Sequence, residues 1–229
     1  RKPKTPIKFK ITLNEEQKEA KAKILKSTIT LLAGSAGSGK TLLACQIALE
    51  KLFMRECDKI IITRPTVSKE EIGFLPGDLR EKMDPWVQPI YQNMYALYDK
   101  VKIEKLISDG AIEIVPVSFM RGRTFLDSVV IVDEAQNVTH EQMQMIVTRI
   151  GLRSKMIVCG DDHQVDLKSK RDSGFRFLYT AARKIKNMVG ISLVTNHRDP
   201  IVEDLINLYD EAEENGLDLG TSGSSNKRK

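Results

Sequence analysis

Thr28–Thr41, TITLLAGSAGSGKT, is the stretch from which the fold can be read. An apolar run, Ile29–Ala33, enters a glycine-rich turn, and a Lys-Thr pair opens an amphipathic segment, Leu42–Leu52. Gly34-x-x-x-x-Gly39-Lys40-Thr41 fills every fixed position of the phosphate-loop pattern. Gly34, Gly37 and Gly39 let the backbone curl and turn its N–H groups around an anion. A helix beginning near Lys40 aims its positive end at the same place. Lys40 then reaches the β- and γ-phosphates, and the Thr41 hydroxyl is a hard oxygen ligand for Mg²⁺. Ser35, Ala36, Ser38 and Leu42 complete the nucleotide-binding stretch, and ATP with Mg²⁺ is the expected ligand pair.

Around this stretch the chain alternates strands and helices. Asn14-Glu-Glu-Gln17 opens a helix to about Lys26, with Asn14 as N-cap and Gln17 at N3 of a capping box. A helix follows over Thr41–Met54, then a short buried strand, Asp58–Thr63. Thr66–Asp84 is rich in charge and turn residues and reads as a long excursion. Trp86–Lys100 is predicted helical, with Pro89 in its first turn or two and Tyr91, Met94, Tyr95 and Tyr98 along one packed side. Ala111–Val117, Ser128–Asp133, Lys155–Cys159 and Ile191–Thr195 read as strands. Thr139–Gly151, with a Thr139/Gln142 capping box, Ser173–Lys186 and Pro200–Asn215 read as helices. This is an α/β pattern: a mostly parallel sheet sandwiched by helices, with the site at the strands' carboxyl ends.

The 229 residues are 41% hydrophobic and 29% charged, enough for one sizeable core. No apolar run approaches the ~18 residues of a membrane span, and the basic start, RKPKTPIKFKITL, lacks a signal peptide's apolar stretch. The net charge of +5 is compatible with a polyanionic partner. Cys45, Cys57 and Cys159 are odd in number and lie in or beside apolar runs, so they read as buried thiols in the cytoplasm. His140, His163 and His197 have no metal-ligand spacing.

Two further strand tips carry chemistry. In VVIVDEAQ, Val129–Gln136, Asp133 is placed to hold Mg²⁺ beside the phosphate loop, and Glu134 to polarise the attacking water as general base. In Gly160-Asp161-x-x-Gln164, the Gln164 amide can orient water and sense the γ-phosphate. Gln17 has two readings of equal weight, a helix cap or a partner for the adenine edge.

Gln17, the GSAGSGKT loop, VDEAQ and GDxxQ together resemble the first motor domain of superfamily-1 helicases. More narrowly, ITRP (Ile62–Pro65), GFLPGD (Gly73–Asp78), DPWVQPIY (Asp84–Tyr91), FMRGRTF (Phe119–Phe125), DEAQN (Asp133–Asn137), TRIG (Thr148–Gly151) and GDDHQVDL (Gly160–Leu167) are similar to the PhoH-like, phosphate-starvation-inducible ATPases. The likeness runs from about Asn14 to Glu214. It departs at His163, where members often have Thr or Ser, and at Asn196-His197-Arg198, where an Arg-His pair is expected. It implies a RecA-like P-loop NTPase core: an arm over residues 1–13, one ATPase domain over 14–215 with an insertion at about 66–100, and a disordered tail over 216–229. It also implies an ATPase ring, a hexamer, acting on single-stranded nucleic acid, RNA before DNA.

A ring also follows from charge. Helicases of this kind close the ATP site with arginines of a second motor domain, and too little sequence follows Gly160 to build one. An arginine finger is worth roughly 10³–10⁵ in rate, so a neighbouring subunit is its natural source. Arg149 ranks first, then Arg123, with Arg121 and Arg198 behind them. Arg64, Lys69, Arg80, Lys82 and Trp86 are the candidates for the nucleic-acid surface. Two other functions stay open, a small-molecule kinase and an ATP-gated assembly module. Glu134 with Gln164 favours water as acceptor over the kinase.

Overall fold

The computed structural model describes residues 7–65, 79–161 and 170–214. Its centre is a sheet of six strands, all parallel: β1 (Ile29–Gly34), β2 (Lys59–Thr63), β3 (Ile112–Ile114), β4 (Ser128–Val132), β5 (Lys155–Gly160) and β6 (Met188–Leu193). Their spatial order is β3-β2-β4-β5-β1-β6. Every residue of β4 and β5 is buried, which is why these segments read as unbroken apolar runs rather than alternating ones.

The pleat divides the core in two. Leu32, Ile60, Ile62, Val129, Ile131 and Ile157 point to one face, where they meet α1 (Glu15–Lys26), α2 (Lys40–Phe53), α3 (Leu79–Leu97) and α4 (Lys100–Ser108). Leu31, Ile61, Val130, Val132 and Val158 point to the other, where they meet α5 (His140–Val147) and α6 (Gly174–Ala181). Each such side chain contributes about 1.5–3 kcal/mol of burial. Helix α7 (Pro200–Glu214) ends the described chain, with Ile201, Leu205 and Leu208 exposed. The result is a RecA-like core, in which β5 lies between the phosphate-loop strand β1 and the Asp133 strand β4.

Several expected boundaries shift. Helix α3 begins at Leu79 and runs through Pro85 and Pro89, so Pro89 lies in its interior. Val87, Ile90, Tyr91, Met94 and Leu97 are buried along it, and that burial outweighs the lost helix hydrogen bonds. Tyr95 and Tyr98 pack on the same core, as expected. Helix α4, capped by the Asp99 side chain on Lys102 N, was not anticipated. Helix α5 stops at Val147, short of Gly151, because Phe125 exchanges backbone hydrogen bonds with Arg149 and Gly151. Strand β3 is shorter than expected and is followed by a 3₁₀ turn, Val117–Phe119. Strand β6 begins three residues earlier than expected, at Met188. Both predicted capping boxes, Asn14/Gln17 and Thr139/Gln142, are present.

Candidate active site

The phosphate loop connects β1 to α2, and its glycines do different work. Gly37 and Gly39 have φ of 86° and 81°, in the left-handed region. A Cβ on Gly37 would stand 2.6 Å from Arg198 Cγ, and one on Gly39 2.6 Å from Gln17 Nε2. The loop is therefore closely overlaid from outside. His197 N donates to Gly37 O at 3.1 Å, so the segment after β6 is pinned across it. That segment is itself tied to α1: Glu16 accepts from Val194 N (2.7 Å) and Thr195 N (3.1 Å). The Val194 N–H in particular holds the Glu16 carboxyl below its ordinary value.

Lys40 Nζ donates to Gly34 O at 2.6 Å and Ser35 O at 2.8 Å, keeping its ammonium against the loop. Thr41 Oγ1 donates to Asp133 Oδ1 at 2.8 Å, joining the start of α2 to the tip of β4. Asp133 is 5% exposed. Burial, then the charge of Glu134, raises its pKa, while the Thr41 hydroxyl, Arg64 and Lys40 pull it down. A buried carboxylate and a threonine hydroxyl in contact are a hard-oxygen pair suited to Mg²⁺.

Glu134 sits at φ 52°, also left-handed, at the entry to a 3₁₀ turn over Ala135–Asn137. Its Oε1 accepts from Arg64 Nη2 at 3.0 Å and its Oε2 from Gln136 Nε2 at 2.7 Å. Gln136, 1% exposed, also accepts from Asp161 N at 3.0 Å through Oε1, so one amide links the tips of β4 and β5. Lys40, Thr41, Asp133, Glu134 and Asp161 all line one cavity of about 690 Å³, with Gln17, His197 and Arg198 on its wall.

The sequence-predicted residues fall into three groups. Gln17, Ala36, Gly37, Gly39, Lys40, Thr41, Leu42, Asp133 and Glu134 line the cavity. Gly34, Ser35 and buried Ser38 belong to the loop around it. Gln164 and Lys69 lie outside the described residues, and Arg80 and Lys82 fall on α3 with their side chains outside the described set.

Neither leading arginine reaches the cavity of its own chain. Arg149 stands at the amino end of the sheet, its guanidinium donating to Met145 O (3.2 Å) and Thr148 Oγ1 (3.1 Å). Arg123 pairs with Glu113 Oε1 at 2.9 Å on the edge strand β3. Arg121 is exposed. Arg198, placed behind Arg149 and Arg123, is the one of the four that lines the cavity. Arg64, expected to face nucleic acid, is tied to Glu134 and to Trp86 O at 2.7 Å.

Gln17 does make the cap: its Oε1 accepts from Asn14 N at 3.2 Å. Its Nε2 remains on the cavity side, 3.4 Å from His197 Nε2, which also lies 3.3 Å from Asn14 Nδ2. The three cysteines are free and buried, and burial pushes the Cys57 thiol up to about 11. Sequence reasoning missed Gln136, His197 and the Arg64–Glu134 pair. The QN after DEA was the only local signal for the first of these.

Among the described residues no helix is long and apolar enough to cross a membrane. Among solved structures the chain is similar to Pif1 helicase from Candida albicans, with TM-score 0.45 and 18% identity over 86% of this chain and 44% of that one. It is also similar to Bacteroides Pif1 bound to ssDNA, with TM-score 0.41 and 14% identity over 86% and 46%. The Synechocystis PhoH-like protein is 42% identical over 195 residues, 83% of this chain and 59% of that protein. The Bacillus subtilis PhoH-like protein is 42% identical over 201 residues, 85% and 62%. Protein PhoH of Escherichia coli K12 is 41% identical over 157 residues, 67% and 44%. The chain thus spans about three-fifths of the length of the first two. The family model described as PhoH-like protein matches residues 10–210, from before α1 to within α7, and takes in every described residue of the cavity: the chain belongs to the PhoH-like family.

Proposed function

We propose that the protein is a Mg²⁺-dependent ATP hydrolase, a ring-forming motor on single-stranded nucleic acid with RNA preferred to DNA, working in the cytoplasm. Residues 14–215 form its ATPase domain. The observation that carries the enzymatic part is the convergence of Lys40, Thr41, Asp133 and Glu134 on one cavity. Kinases need the first three as well, but a carboxylate beside the magnesium aspartate suits activation of water.

Thr41 and Asp133 would hold Mg²⁺, which supplies charge compensation to the β- and γ-phosphate oxygens. The loop N–H groups and Lys40 orient the phosphates. Glu134 takes a proton from water as its oxygen attacks the γ-phosphorus, and the bond from that phosphorus to the bridging oxygen breaks, releasing ADP and phosphate. Arg198, in the same chain, adds positive charge at the cavity wall, and Arg149 or Arg123 of a neighbouring subunit completes it. Gln164 orients the water. Gln17 faces the base with Nε2 alone as long as its Oε1 caps α1.

The test is phosphate release from ATP with no added acceptor, with and without single-stranded RNA, alongside sedimentation. Release, stimulation by RNA that fades steeply with salt, and an oligomer are expected. Arg149→Ala or Arg123→Ala should keep ATP binding and lose hydrolysis. Brisk turnover by a strict monomer would remove the ring, and unstimulated turnover would favour an ATP-gated assembly module.

A further inference from the structure

Arg64 touches the proposed general base from behind. It is the residue after β2, its side chain is 18% exposed, and it does not line the cavity that Glu134 lines. Its guanidinium forks: Nη2 holds Glu134 Oε1 at 3.0 Å, and Nη1 holds the main-chain carbonyl of Trp86, on α3, at 2.7 Å. Its Nε is buried without a hydrogen-bond partner among the described residues. With Gln136 on Oε2, both oxygens of Glu134 are turned to donors of the protein. A water in the cavity has to take one of those oxygens over before it can lose a proton to it. Arg64 is the charged one of the two donors, and it ties Glu134 to α3, whereas Gln136 ties it to the tip of β5.

On the ATPase reading given above, we propose that Arg64 is a restraint on Glu134, released when a phosphodiester of a bound single strand takes over its guanidinium. The chemistry favours the exchange. Guanidinium binds phosphate through two parallel N–H donors, whereas here Glu134 receives one and the other goes to a neutral carbonyl. Releasing Oε1 frees the carboxylate to swing toward the cavity, at a residue already held in left-handed backbone. Nucleic acid at the carboxyl end of β2 is thereby coupled to hydrolysis through one side chain. Arg64 is a positioning residue in this scheme, not a catalytic one.

The experiment compares the whole chain with its Arg64→Gln and Arg64→Lys variants, using a uridine homopolymer RNA as probe. Arg64→Gln should raise kcat without RNA roughly five- to tenfold, leave KM for ATP unchanged, and flatten the response to RNA. It should also lower the salt slope of RNA binding by about one, a readout independent of turnover. Arg64→Lys, with a single point charge, should fall between. A fall in basal kcat with analogue binding intact would make Arg64 a support for Glu134 and overturn the restraint. So would an undiminished response to RNA. If Arg64→Gln fails to bind the ATP analogue, Arg64→Lys carries the same comparison. Absence of phosphate release by the unsubstituted protein counts against the ATPase reading instead, and leaves the RNA-binding arm to decide whether Arg64 meets phosphate.

Discussion

The two sides of the cavity are built in opposite ways. On the phosphate-loop side the lysine is held by short-range contacts: Lys40 bonds the carbonyls of Gly34 and Ser35, six and five residues back. On the carboxylate side they are long-range: Arg64 lies 70 residues from Glu134, and Gln136 25 residues from Asp161. A side made from one continuous loop moves as a unit and suits binding. A side made from the tips of β2, β4 and β5 depends on how those tips sit together, and suits timing. The difference teaches that affinity and turnover in this cavity are separable.

The largest effect expected is on turnover. Glu134→Gln should lower kcat by about 10²–10⁴ and leave ATP affinity intact. Lys40→Ala should lower kcat/KM by roughly 10²–10³, with ATP binding weakened as well. Titration of an ATP analogue beside steady-state kinetics separates the two. If Glu134→Gln weakens binding as much as Lys40→Ala, the contrast between the sides collapses.

The next effect sharpens the contrast inside the carboxylate side. Gln136→Leu removes a buried amide that both donates to Glu134 and accepts from Asp161 N. It should cost about 1–3 kcal/mol of stability, seen as a lower urea midpoint. Turnover should fall while analogue affinity holds. A variant with unchanged kcat would mean that the β4 and β5 tips keep their arrangement without the amide.

These two sides also differ in how far the sequence reveals them. The loop was legible because its function follows from spacing alone, and Asp133-Glu134 because a buried strand has to end in something polar. Caps were legible for the same reason, being local hydrogen bonds between residues three apart. The Arg64–Glu134 pair was not, since no periodicity connects Thr63-Arg64-Pro65 with the tip of β4. Of α3 the part from Trp86 onward was legible, but its first turns, from Leu79, were not, because two prolines argue for interruption there. Exposed Pro89 lacks an N–H, but its carbonyl accepts from Asn93 Nδ2 at 2.7 Å, and the buried side of the helix carries the rest. Arg198 was visible as a charge, but its place over Gly37 depends on Glu16 fastening the β6 segment to α1.

The smallest effect concerns β5, the strand between the two sides. At its foot, Lys155 is 8% exposed, and its ammonium donates to the carbonyls of Ile24 (2.7 Å), Leu25 (3.4 Å) and Ser27, at the end of α1. It thereby caps the helix that presents Gln17 to the cavity. Burial, then the charge of Lys51, lowers its pKa to about 8. In the unfolded chain it returns to about 10.4. Between these values the unfolded state binds more protons, so stability rises with pH. The penalty for burying the charge is felt in full below pH 8 and fades as the pH climbs through the window. Relative to Lys155→Met, the unsubstituted protein should therefore gain on the order of 1–2 kcal/mol between pH 7 and pH 9.5, read from urea midpoints. Because the strand serves both sides equally, the relative effects of Lys40→Ala and Glu134→Gln should be the same at either pH. A relative loss of stability over that range would mean that the three carbonyls stabilise the ammonium more than burial disfavours it, and would make Lys155 a net support of α1 in its charged form.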